Sequence, residues 1–228
     1  MTTLTAKDLT KFYQNLNKRS DVFKATWYKF WNFEGLYSLD PVKEKLKGIL
    51  DPSNPRDKEV VACCVSIKDS RFEKAYFSNK KLPFDEWFEY VVASGTIPFY
   101  MEPTHKDEWF DGGIREYVPI QEAARRCDKV ISIATSPLHA KEITTYEYKW
   151  PTKALMRIYR TIDGAMEQEI KLNDYLKNCR SSKVYAIEPE QVLDMGMFEV
   201  SKEKMQWLLD LGYKQTIKQE KELLEFVA

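Results

Sequence analysis

Trp109-Phe110-Asp111-Gly112-Gly113-Ile114-Arg115-Glu116-Tyr117-Val118-Pro119 sets a carboxylate after a short aromatic run and follows it with two glycines. Glycine permits positive φ and removes the Cβ that would block close approach of a nucleophile or substrate. The spacing predicts Asp111 at the carboxyl end of a short strand, with Gly112 and Gly113 in the supporting loop. Ligand sites of open α/β sheets collect at such ends. The same tripeptide also fits a polar turn whose aspartate hydrogen-bonds its own backbone, and these residues alone leave both open.

Working outward, Pro119 is placed to start a short helix through Arg126, and Lys129-Val130-Ile131-Ser132-Ile133-Ala134 has the pattern of a central buried strand. Strand, loop, helix and strand in that order predict a parallel crossover from Asp111 to Val130. Upstream, Phe84, Trp87, Phe88, Val91 and Val92 repeat at i, i+3, i+4, i+7 and i+8 behind Pro83, a helix that ends near Gly95 and Pro98. Before it, Val60 to Val65 and Phe72 to Ser78 read as a hairpin with a buried first strand. The first 50 residues read as helices: one from an N-cap at Thr5, one from Ser20 carrying Phe23, Trp27, Phe30 and Trp31 on one face, and one opened by Asp40 and Pro41. Toward the end, a long helix is expected from Trp150-Pro151, a strand near Lys183 to Ile187, a helix capped by Ser201, and a charged, solvated helix from Lys214 to Glu225.

These elements predict one α/β domain over residues 1–228, made of a helical segment (1–50), a hairpin, helix and D-G-G segment (58–135), and C-terminal helices and a strand (150–228). With 43% hydrophobic and 14% aromatic residues among 228, the chain can bury a large core. Thirty-five basic residues offset thirty-five acidic ones without clustering on a stripe, which excludes nucleic acid as the expected partner. Cys63, Cys64, Cys127 and Cys179 lack C-x-x-C spacing and read as reduced, buried thiols. His105 and His139 are isolated, so neither a metal nor a cofactor is expected. No apolar run approaches the length of a membrane-spanning helix and the first residues carry no leader pattern, which makes the cytoplasm the expected compartment. The aromatics from Phe23 to Tyr37 fit core or partner packing, with peripheral membrane contact as the other possibility.

Four segments in order resemble the distal half of a patatin-like phospholipase domain of bacterial type. They are Gly35-Leu36-Tyr37-Ser38-Leu39-Asp40-Pro41, Ala93-Ser94 with Ile97-Pro98, Asp111-Gly112-Gly113, and Phe198 to Tyr213 with Leu211-Gly212-Tyr213. The resemblance implies a three-layer α/β/α fold, incomplete at its N-terminal side. It also implies hydrolysis of a lipid or other acyl ester by a Ser-Asp dyad without a catalytic histidine. By the same resemblance Asp111 is the catalytic acid/base and Gly112 and Gly113 form its supporting loop.

The nucleophile of that family sits in a G-x-S-x-G elbow and its oxyanion donors in a glycine-rich turn. The eight glycines here are Gly35, Gly48, Gly95, Gly112, Gly113, Gly164, Gly196 and Gly212, and no two are four apart or separated by one residue. Neither motif is present, and no nucleophile is identified. Tyr117 also stands where the family usually has asparagine. The expectation is therefore a distal portion that supplies Asp111 and needs a separate proximal portion for the serine and oxyanion hole. That predicts pairing with a proximal patatin fragment, or self-association. The alternative is a non-catalytic binding or structural module; a self-sufficient hydrolase using Ser136 or Ser94 is a third possibility.

Overall fold

The computed structural model describes residues 6–26, 28, 35–50, 58–66, 73–98, 100–104, 109–116, 118–134, 183–191, 193 and 199–228. The chain divides into two compact units, Met1–Arg115 with Val200–Met205, and Glu116–Glu199 with Gln206–Ala228.

In the first unit, α1 (Ala6–Gln14) turns Phe12 inward and is followed by one 3-10 turn, Arg19–Asp21. The helix expected from Ser20 does not form there. Lys24–Ala25 is instead a short strand, β1, antiparallel to β2 (Tyr37–Ser38), and Trp27, Phe30 and Trp31 lie outside the described residues. Helical spacing of aromatics is a weak signal because strands favour the same residues. Asp21 closes the preceding loop by accepting the Asn17 and Lys18 N–H groups and pairing with Lys45 at 2.7 Å. Those contacts hold its carboxyl below the ordinary aspartate value, the Lys45 bond most strongly.

Gly35 explains how the chain reaches β2. Its φ is +101°, and a Cβ there would stand 2.5 Å from the backbone carbon of Met101. Only glycine combines that dihedral with such close approach. The N–H groups of Leu36 and Tyr37 both donate to the Tyr100 carbonyl at 2.9 Å. Helix α2 (Asp40–Ile49) follows, with Leu39 as N-cap, so that Asp40 and Pro41 each fall one position inside the expected start.

The hairpin forms as expected. β3 (Val61–Ser66) pairs antiparallel with β4 (Glu73–Ser78), and β5 (Trp109–Asp111) adds to the other side of β3, also antiparallel. Helix α3 (Phe84–Ala93) covers this sheet, with Pro83 at its N-cap and Asp85 and Glu86 in the first turn, where negative charge favours the helix dipole. Tyr90 and Ala93 pack on Ala62 and Cys64, while Trp87, Phe88 and Val92 meet Leu46 of α2 and Leu50 just past its end. Full burial of side chains such as Phe88 contributes about 1.5–3 kcal/mol each. The rings of Phe77 and Tyr90 stack 3.4 Å apart, with Trp109 edge-on to both. The Trp87 indole N–H donates to the Val60 carbonyl at 3.2 Å, which satisfies its one polar atom.

In the second unit, α4 (Ile120–Arg126) begins after Pro119 at the N-cap and buries Ile120. Arg125 and Arg126 both pair with Glu122. Cys127, expected to be buried, is exposed just past the helix. β6 (Val130–Ile133) pairs in parallel with β7 (Val184–Ile187). Two expectations change here. Among the described residues β5 and β6 belong to different sheets with no parallel crossover between them, and β6 is not an interior strand. Val130 and Ser132 face inward while Ile131 and Ile133 are exposed.

Helix α5 (Lys202–Lys218) starts at Ser201, whose hydroxyl accepts the Lys204 N–H at 3.3 Å. After a break at Gln219, α6 (Glu220–Val227) supplies Phe226, which packs on Tyr185 of β7. The helix expected from Trp150-Pro151 lies outside the described residues.

Candidate functional site

Asp111 is the last residue of β5 and sits half-buried opposite Cys64 of β3. Because paired residues of an antiparallel ladder project to the same face, the carboxyl shares the α3-covered side of the sheet with the Cys64 thiol. That thiol is sealed and donates to the Tyr90 carbonyl at 3.2 Å. Burial pushes it far above its ordinary range, with Cys63 and Asp111 adding to the effect. Cys64 is therefore a packing residue and not a nucleophile.

Three constraints hold Asp111. Its N–H donates to the Thr96 carbonyl at 2.9 Å. One carboxylate oxygen, Oδ1, accepts the Gly113 N–H at 2.8 Å, capping the 3-10 turn Gly112–Ile114. Gly112 lies so close to β3 that a Cβ would stand 2.5 Å from both the carbonyl oxygen and the Sγ of Cys63. Gly112 is required by this contact, not by a positive φ. Ile114, fully buried, anchors the far side of the turn. Burial raises the Asp111 carboxyl above the ordinary aspartate value of 3.8, and the Gly113 hydrogen bond offsets part of that rise.

The structure thus brings Asp111, Gly112 and Gly113 together as the spacing predicted. It also realises the polar-turn geometry, since the aspartate bonds its own loop. Two of the serines considered above are described. Ser94 ends α3 by donating to the Val91 carbonyl at 2.7 Å, and Ser132 is buried in β6. Ser136, His105, His139 and Tyr117 lie outside the described residues. Among the described residues no group of three or more His, Cys, Asp or Glu side chains could hold a metal ion, and no helix is long and apolar enough to cross a membrane. Thr96 and Cys63 were not legible as neighbours of the carboxylate, because their contacts come from pairing distant in sequence.

A half-buried carboxyl at a strand end, on a sheet covered by a helix, belongs to an α/β protein. The family model for patatin-like phospholipase matches residues 3–124, more than half of the 228, and the chain belongs to that family. The matched span contains the Gly35 turn, α3 and the whole Asp111-Gly112-Gly113 loop. A comparison with curated proteins gave no match.

Proposed function

We propose that this chain contributes the catalytic carboxylate, Asp111, of a Ser-Asp dyad in a patatin-type lipid acyl hydrolase. The serine and the oxyanion donors would come from a segment outside these 228 residues. The observation that carries this is the half-buried Asp111 carboxyl at the end of β5, raised by burial toward the pH at which a carboxylate can take and return a proton. In the acylation step the serine oxygen bonds to the ester carbonyl carbon and its proton passes to Asp111. Collapse of the tetrahedral intermediate breaks the ester C–O bond, and Asp111 returns the proton to the departing alcohol. Water then attacks the acyl-enzyme carbonyl, giving a proton to Asp111, and as the bond from the acyl carbon to the serine oxygen breaks Asp111 returns that proton to the serine, releasing the fatty acid and restoring both the hydroxyl and the carboxylate. Gly113 keeps a side chain away from the carboxyl, since a Cβ there would stand 3.1 Å from Oδ1 of Asp111, while Gly112 lets the loop rest on β3. Peripheral contact with a lipid surface, and association with a serine-bearing partner or a second copy, belong to the same proposal.

A second reading has one observation in its favour: Oδ1 of Asp111 caps its own turn, a purely structural use of the carboxylate in a binding or scaffold module. Complementation separates the two. The 228-residue chain is expected to leave p-nitrophenyl esters intact and to take no fluorophosphonate label. Addition of a patatin segment bearing the elbow should restore hydrolysis, and Asp111→Asn should abolish the gain. The amide keeps the capping oxygen but is not a base, so turnover retained in that variant would assign Asp111 to structure alone.

A further inference from the structure

We propose that Thr96 is the positioning residue for Asp111, fixing the acid-bearing end of β5 to the last turn of α3. This rests on the catalytic reading of Asp111. Thr96 is fully buried and makes three hydrogen bonds, each with a different destination. Its N–H donates to the Ala93 carbonyl at 2.9 Å and its hydroxyl to the Val92 carbonyl at 3.0 Å, which also accepts the Gly95 N–H at 3.0 Å, so both bonds fall on the last turn of α3. Its own carbonyl accepts the Asp111 N–H at 2.9 Å. β3 lies on the other side of β5, so the Asp111 N–H points away from the sheet and finds its acceptor only in this turn.

The hydroxyl matters because it sets the orientation of the carbonyl that Asp111 uses. A buried threonine could be replaced by valine without change of shape, and the Val92 carbonyl would keep the Gly95 N–H, yet the turn would lose its second tie to Thr96. The Ala93 bond holds the peptide before Thr96, while on the peptide that carries the Thr96 carbonyl the Ile97 N–H meets the Met101 sulfur at a long 3.5 Å, a weak hold against rotation. Rotation there moves the Asp111 backbone, and with it the carboxyl that Gly113 holds from the other side. Ser94, two residues earlier, bonds Val91 and does not touch Asp111 in this way, so the two hydroxyls of the segment have separate tasks.

The test uses the full chain and needs no hydrolysis. In Thr96→Val, exchange of the Asp111 amide with deuterium should quicken about tenfold, the size expected for one lost hydrogen bond, and the Asp111 carboxyl titration followed by carbon NMR should shift. Thr96→Ser, which keeps the donor, should restore both. Wild-type exchange and titration in a folded Thr96→Val chain overturns the proposal. If that variant does not fold, Thr96→Cys carries the test: its weak thiol donor should give intermediate exchange, and an unchanged rate overturns the proposal. In the complemented enzyme the valine variant should lower kcat with KM unchanged. The catalytic role of Asp111 is judged separately by Asp111→Asn, so failure of that reading is distinguishable from failure of the Thr96 link.

Discussion

The three-stranded sheet β4-β3-β5 and the two-stranded sheet β6-β7 are built from similar material and packed very differently. Val61 to Val65 and Val130 to Ile133 are both short apolar runs rich in β-branched residues. The first carries strands on both edges and a helix on one face, with Cys64 and Val65 fully buried. The second has one parallel partner among the described residues and turns Ile131 and Ile133 outward, the latter 71% exposed. The acid loop is held by the closely packed sheet. A carboxyl raised by burial requires that environment, because an exposed aspartate keeps its ordinary value.

The comparison is broken most directly at Gly112. Gly112→Ala should cost about 1–3 kcal/mol, since the new methyl meets Cys63 backbone that cannot swing aside. Urea unfolding followed by circular dichroism measures it, and a neutral result would mean that the β3–loop contact is loose.

A smaller effect, with a definite sign, is expected at Asp111. Its folded value lies above 3.8 because burial penalises the charge. Neutral Asp111 is therefore favoured in the fold at acid pH, and that contribution is lost as pH rises through the folded value. Asp111→Asn stays neutral and keeps the oxygen that accepts from Gly113, so at pH 7 it should be more stable than the wild-type chain. The gain should vanish below pH 3.8. Equal stability of the two proteins at pH 7 would show that the carboxylate is well solvated.

The smallest change belongs to the open sheet. Ile133→Thr keeps a β-branched side chain at an exposed position and should alter stability by no more than about 0.5 kcal/mol. Its informative readout is sedimentation. The apolar outer face of β6 invites association, so the variant should associate less than the parent chain. A large loss of stability would instead show that Ile133 is covered in solution.

Several elements were legible because their causes are local. Pro83 followed by apolar residues at helical spacing specifies α3, and two β-rich runs separated by Lys68-Asp69-Ser70-Arg71 specify the hairpin. The strand that delivers Asp111, the helix after Pro119 and the cap at Ser201 follow from equally short-range rules. The β1–β2 pair was not legible. Phe23 to Trp31 satisfies a helical period as well as a strand composition, and what decides at Lys24 and Ala25 is their partner, Tyr37 and Ser38, brought close by the Gly35 turn against Met101.

By itself the sequence determined which residues could bear the chemistry. It has one carboxylate followed by paired glycines, it lacks a G-x-S-x-G elbow, and its ordered segments point to the patatin-like family. Tertiary structure alone decided that β5 joins β3 antiparallel, and that Gly112 rests on Cys63. It also decided that Asp111 is tied to Thr96 and raised by burial. The physical reason is that strand pairing and desolvation depend on residues far apart along the chain, so no local pattern carries them.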